Sequence, residues 1–247
     1  MAESTSIHEP LEKAVKIPAG DVELDGDLSV PRDAFGVVVF AHGSGSSRHS
    51  SRNRYVARVL QEAGMATLLM DLLTRREEEV DAYTGHLRFD IGLLADRLVW
   101  ATKFVVNHPS TLNLPVGYFG ASTGGGAALV AAAHARHQVA AVVSRGGRPD
   151  LAGEALRRVK APVLLIVGGD DDVVIEMNER ALAELRCEKE LSIVPGAGHL
   201  FEEPGTLEEV ARLARDWFER HLRAGAGGAM LCEEAYSRGQ VEGRRVG

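Results

Sequence analysis

Gly120-Ala121-Ser122-Thr123-Gly124 lies between an apolar run, Val116-Gly117-Tyr118-Phe119, and an alanine-rich segment from Ala127 to His134. A G-x-S-x-G spacing at a strand-to-helix junction suits nucleophilic chemistry. The small neighbours let the two elements pass closely while a strained turn exposes the serine hydroxyl. The helix start also turns unpaired N–H groups, and the positive end of its dipole, toward any oxyanion forming beside Ser122. Five-residue matches of this kind arise by chance in a chain with 27 glycines, so the reading depends on what else the sequence supplies.

Serine is a weak nucleophile at neutral pH. An imidazole has to take its proton and later return it to the leaving group, and a carboxylate has to orient that ring. Both types occur directly after apolar runs. Asp170-Asp171-Asp172 follows Pro162 to Gly169, and His199 follows Leu191-Ser192-Ile193-Val194 and a Pro-Gly-Ala-Gly turn. His42 opens a Gly/Ser loop, His42-Gly43-Ser44-Gly45, after Gly36-Val37-Val38-Val39-Phe40-Ala41. In an open α/β sheet, ligands bind outside the carboxyl ends of the strands, so these are the positions where chemistry belongs.

The elements needed to hold them are readable in order. Ala14 to Pro18 and Val22 to Val30 alternate apolar and polar residues, the pattern of an antiparallel hairpin at a sheet edge. Gly36 to Ala41, Ala66 to Asp71, Val116 to Phe119, Val139 to Val143 and Pro162 to Gly169 are continuous apolar runs, as expected of strands buried on both faces of a parallel sheet. Between them Asn53 to Ala63, Asp90 to Asn107, the segment after Ser122 and Glu176 to Leu185 read as helices, and Leu207 to Leu222 closes the chain. The connection from Leu72 to His86, with Arg75-Arg76-Glu77-Glu78-Glu79, reads as a long polar loop, either a cover over a site or a solvated charge run. The alternation predicts a doubly wound, mostly parallel α/β sheet, with residues 1–223 as one domain and 224–247 as a flexible tail.

Composition narrows the function. A net charge of -7, from 28 Lys+Arg against 35 Asp+Glu, argues against a nucleic-acid partner. Cys187 and Cys232 lack metal-ligand spacing, so no metal is expected. The polar N-terminus and the absence of a long apolar run predict no membrane partner and a cytoplasmic location. His42 to Arg48 has neither dinucleotide nor P-loop spacing, so no organic cofactor is expected.

With these pieces assembled, His42-Gly43-Ser44-Gly45, Gly120-Ala121-Ser122-Thr123-Gly124, Gly168-x-x-Asp171-x-x-Val174 and Gly198-His199 resemble the dienelactone-hydrolase-like branch of the α/β-hydrolases over residues 14 to 222. The resemblance implies the α/β-hydrolase fold without a large cap domain. It also implies a triad in the order Ser122, Asp171, His199, the motif register selecting Asp171 among its neighbours. In such proteins the histidine before the glycine loop belongs to that loop and is not the base, and the oxyanion hole would come from the N–H groups of Ser44 and Thr123. Family members that act on dienelactone use a cysteine nucleophile; Ser122 in that place points to ordinary ester hydrolysis. The expected activity is a carboxylesterase acting on a small-molecule ester, short acyl or aryl, through an acyl-enzyme. A thioesterase, lactonase or peptidase with the same triad, or a non-enzymatic small-molecule-binding scaffold, are the alternatives. His42, Arg145 and Arg148 are the expected substrate contacts, with Arg48 beyond the loop as a further candidate for meeting an acidic group. The chain also resembles the hydrolase-like segment fused to phosphoribosyltransferase domains in some bacterial proteins, although it lacks a recognisable phosphoribosyl site.

Overall fold

The structure is a computed structural model that describes residues 11–135 and 138–242. Its strands are β1 (Leu11–Ala19), β2 (Val22–Val30), β3 (Val37–Ala41), β4 (Ala66–Met70), β5 (Val116–Ala121), β6 (Val139–Arg145), β7 (Val163–Gly168) and β8 (Lys189–Val194). Its helices are α1 (Ser51–Glu62), α2 (Arg75–Thr84), α3 (Ile91–Asn107), α4 (Thr123–His134), α5 (Asp172–Glu184) and α6 (Thr206–Glu242). The strands form one eight-stranded sheet in the order β1-β2-β4-β3-β5-β6-β7-β8. The β1–β2 and β2–β4 pairs are antiparallel and all other pairs parallel, so the predicted edge hairpin and doubly wound sheet are both present.

Strand alternation divides the core between two faces. Val37, Val39 and Ala41 of β3 pack with Leu98 of α3 and Leu129 of α4, while Val38 and Phe40 pack with Leu60 of α1 and Phe218 of α6. Every residue of β3, β4, β5 and β7 is buried, which explains why these strands read as unbroken apolar runs. With α3 and α4 on one face and α1 and α6 on the other, the strand ends carrying Ser122, Asp171 and His199 all open at the carboxyl edge of the sheet.

The structure differs from the sequence reading in two places. The expected long loop from Leu72 to His86 contains α2, followed by a 3-10 turn at Leu87–Phe89. A capping box starts α2: the Thr74 hydroxyl accepts from the Glu77 N–H, and the Glu77 carboxylate accepts from the Thr74 N–H at 2.6 Å. Gly85, at φ 66°, ends the helix in the left-handed conformation that glycine adopts without a Cβ clash. The charge run is therefore the start of a helix, in which Arg75, Arg76, Glu78 and Glu79 are exposed and Glu77 is part-buried against Arg97 at 2.7 Å. Residues 224–242, expected as a flexible tail, lie in α6, which continues to Glu242; residues 225–242 contain no proline, and three alanines, three glutamates and a leucine offset the glycines. Residues 243–247 of that expected tail lie outside the described residues.

Candidate active site

Ser122 occupies the turn between β5 and α4 with φ 52° and ψ −122°, a conformation that a residue with a side chain holds only under constraint. The constraint comes from the backbone. Its N–H donates to the Arg145 carbonyl at 3.2 Å, and its carbonyl accepts from Gly125 at 2.9 Å and Arg148 at 3.0 Å. The flanking glycines are required by contact. A Cβ on Gly120 would stand 2.5 Å from the Gly124 carbonyl oxygen, and one on Gly124 would stand 2.3 Å from the oxygen of Ala41 and 2.6 Å from that of His42. All are backbone atoms, which cannot rotate away. Gly124→Ala is therefore expected to push the end of β3 off α4, lowering stability by about 1–3 kcal/mol and displacing the oxyanion loop. A urea melt together with an active-site titration checks this; an unchanged midpoint with full titration would contradict the contact argument.

His199 and Asp171 are hydrogen-bonded to each other. His199 Nδ1 lies 2.7 Å from Asp171 Oδ2, with the aspartate side chain largely shielded and the imidazole part-exposed. Asp171 caps α5 directly after β7, and its N–H donates to the Gly168 carbonyl at 3.1 Å. Asp170 is exposed and its N–H donates to the Ala197 carbonyl at 2.9 Å, and Asp172 is the exposed first residue of α5. One of the three aspartates thus holds the histidine. The carboxylate on Nδ1 fixes the proton there and leaves Nε2 as the basic nitrogen. Among the described residues no hydrogen bond joins Ser122 to His199; such contacts commonly close only around bound substrate. Their shared neighbourhood is shown by Gly146, where a Cβ would come within 3.7 Å of His199 Cε1, one residue beyond the carbonyl that holds Ser122. Asn178, buried on α5, donates to the Gly147 carbonyl at 3.1 Å and steadies this same turn.

The oxyanion loop differs from expectation at two positions. The Ser44 N–H, expected to be open beside that of Thr123, donates to the Thr123 hydroxyl at 2.9 Å. The Thr123 backbone N–H, at the head of α4, has no acceptor within the helix. His42, expected as a substrate contact, uses both ring nitrogens within the chain. Nδ1 faces the Gly43 carbonyl at 2.9 Å, and Nε2 accepts from the Leu72 N–H at 3.1 Å. Burial pushes its pKa down, so the ring is neutral and serves as a strut between the loop and the end of β4.

The arginines expected to meet substrate are also engaged. Arg148 forms two bonds, at 2.9 and 2.8 Å, to the carboxylate of Asp150. Arg48 is clipped by its backbone N–H and guanidinium to Asp71 at the end of β4. Arg145 is 5% exposed, with Asn53 Oδ1 at 3.3 Å and the Phe201 ring 5.6 Å from its guanidinium carbon. Burial, and then the neighbouring Arg52, push its pKa down to about 10. It braces the segment after His199 from beneath.

A cleft of about 260 Å³ opens beside Thr123, walled by the oxyanion loop, by Leu72 and Leu73, and by Asp81 and Arg88 from the α2 segment. Buried Asp81 fixes Arg88 by accepting from its Nε at 2.5 Å and from two backbone N–H groups, while its carbonyl accepts from the guanidinium at 2.9 Å. Sequence reasoning placed a cover here but missed these residues. The signal was present in Thr74-Arg75-Arg76-Glu77, the spacing of a capping box, which marks a helix where a charge run alone does not.

The sequence signature of the dienelactone hydrolase family matches residues 24–223, which include every element described around Ser122. The chain belongs to the dienelactone hydrolase family. This family member is 64% identical to a dienelactone hydrolase from Anabaena variabilis, whose crystal structure superposes with a TM-score of 0.86 over 87% of this chain and 100% of the other. Est1E from Butyrivibrio proteoclasticus shares the fold at a TM-score of 0.70, with 16% identity over 84% of this chain and 98% of that one. A Mycobacterium tuberculosis (strain H37Rv) protein, provisionally named a phosphoribosyl transferase, is 62% identical over 211 residues, 85% of this chain. Those residues make up 47% of that protein, so this dienelactone hydrolase family member spans about half the length of the curated relative it matches. Among the described residues no helix is long and apolar enough to cross a membrane, and no group of three or more His, Cys, Asp or Glu side chains is placed to hold a metal ion.

Proposed function

We propose that this hydrolase-family protein is a serine carboxylesterase that cleaves small esters through an acyl-enzyme, with Ser122 as nucleophile, His199 as general base and then acid, and Asp171 as the orienting carboxylate. The observation that carries the reading is the constrained backbone of Ser122, at φ 52°, on the strand end beside a His199–Asp171 pair closed to 2.7 Å. Ser122 Oγ attacks the ester carbonyl carbon and His199 Nε2 takes its proton. The tetrahedral intermediate places its oxyanion at the start of α4, and its collapse expels the alcohol, which receives the proton from His199. Water, deprotonated by the same nitrogen, then releases the acid and regenerates the serine. A cleft of about 260 Å³ favours short acyl or compact aryl groups over long chains.

Phosphoribosyl transfer, the reaction in the name of the mycobacterial relative, is not part of this proposal. The aligned residues make up 47% of that protein, and here the family match at 24–223 fills most of the chain. The test is labelling with a fluorophosphonate probe beside a panel of p-nitrophenyl esters of increasing acyl length. Stoichiometric labelling of Ser122 and a kcat/KM that peaks at short chains are expected. A folded protein that neither labels nor turns over any ester would end the esterase reading.

A further inference from the structure

The hydrogen bond from the Ser44 N–H to the Thr123 hydroxyl has a chemical consequence for the site. A hydroxyl is both acceptor and donor. Thr123 Oγ1 uses a lone pair on the Ser44 N–H at 2.9 Å, which leaves its own proton to be given away. Thr123 is 4% exposed, so that proton has little bulk water to reach. What open space it meets is the cleft that Thr123 and Ser44 line together, next to the nucleophile: a Cβ on Gly43 would come within 3.0 Å of Ser122 Cβ. The N–H that a two-donor oxyanion hole would draw from this loop is thus already spent, and the atom it is spent on is itself a donor on a residue that lines the cleft.

Resting on the serine-esterase reading above, we propose that the Thr123 side-chain hydroxyl is a catalytic oxyanion donor, acting together with the Thr123 backbone N–H and polarised from behind by the Ser44 N–H. Accepting a hydrogen bond strengthens the hydroxyl as a donor, and the bond from Ser44 selects one χ1 rotamer for a side chain that helices otherwise split between two. The donor is therefore aimed before substrate arrives, which makes such groups effective where charge develops. It acts on the tetrahedral oxygen and adds little to ground-state binding, so its effect belongs in kcat.

Thr123→Val keeps the branched shape and removes only the hydroxyl; Thr123→Ser keeps the hydroxyl. Hydrolysis of p-nitrophenyl acetate by the valine variant is expected to show kcat reduced about 10²-fold, the effect typical of losing one oxyanion donor, with KM within about threefold. The serine variant should recover to within about fivefold of wild type by the same argument. Affinity for an aryl trifluoromethyl ketone, whose adduct carries the oxyanion, should fall with kcat, a readout that a packing role would leave unmoved. Valine activity at or above one third of wild type would show that the hydroxyl only occupies the Ser44 N–H, and a serine variant as slow as valine would show that the methyl is what counts. Either overturns the proposal while fluorophosphonate labelling of wild type keeps the esterase reading standing. A wild type that fails to label removes both.

Discussion

Ser122→Ala is expected to abolish ester turnover, lowering kcat by about 10⁶, the scale on which serine hydrolases lose rate with their nucleophile, and to leave no site for fluorophosphonate. The structure predicts that this loss comes without unfolding. The turn at Ser122 is held by three backbone bonds, to Arg145, Gly125 and Arg148, none of which uses the hydroxyl. Alanine meets the same backbone penalty as serine at φ 52°, so its melting temperature should stay close to wild type. Ser122→Gly separates the two effects. It is equally inactive but relieves a conformation costing about 1–3 kcal/mol, and it should melt later than wild type. A family member built around a strained nucleophile thus becomes more stable as it loses function. Turnover assays and thermal melts on the three proteins check both halves. Residual turnover above one per cent in the alanine variant would remove Ser122 from the reaction, and a glycine variant that melts earlier would mean that the turn is not under strain.

The parts of this site legible in the sequence were those in which chemistry and local backbone geometry make the same demand. Gly120 and Gly124 are required because any Cβ would strike backbone oxygens, and the same closeness sets the turn at Ser122, so the motif reports the fold and the proposed nucleophile's position together. The register from Gly168 to Val174 selected Asp171, and the structure places Asp171, with neither Asp170 nor Asp172, on His199. Roles decided by side-chain partners were not legible. Arg148 is taken by Asp150, Arg145 is covered by Phe201 and α1, and both nitrogens of His42 are spent on backbone groups, one of them 30 residues away. Burial of Asp81 of α2 beside the cleft was hidden for a related reason. Arg75 to Glu79 is charged at every position, and only Asp81 of that helix is buried, so no apolar stripe marks it. The Ser44–Thr123 bond spans 79 residues and joins a loop to a helix start that only the packing of β3 beside β5 brings together.

Asp171→Asn is expected to cost about 10⁴ in kcat with little change in KM or in melting temperature. The reason is the direction of one hydrogen bond. Asp171 Oδ2, 2.7 Å from His199 Nδ1, can only accept, so the ring proton sits on Nδ1 and the Nε2 lone pair is available to the serine hydroxyl. An asparagine in the same place can present its NH2 to Nδ1, and the ring then carries its proton on Nε2, where it blocks proton transfer from Ser122. The substituted side chain is nearly isosteric, and the backbone bond from the Asp171 N–H to Gly168 is untouched, so the fold has no reason to change. Asp170→Asn supplies the matching control. That residue is exposed and makes its recorded bond through its backbone, so its loss should leave kcat within about twofold of wild type, as for surface changes away from functional groups. Steady-state kinetics on the two variants would settle which carboxylate works. Equal losses from both would mean that the cluster's summed negative charge supports the imidazolium, and a loss from Asp170→Asn alone would transfer the orienting role to the neighbour and require the turn after β7 to rearrange when substrate binds.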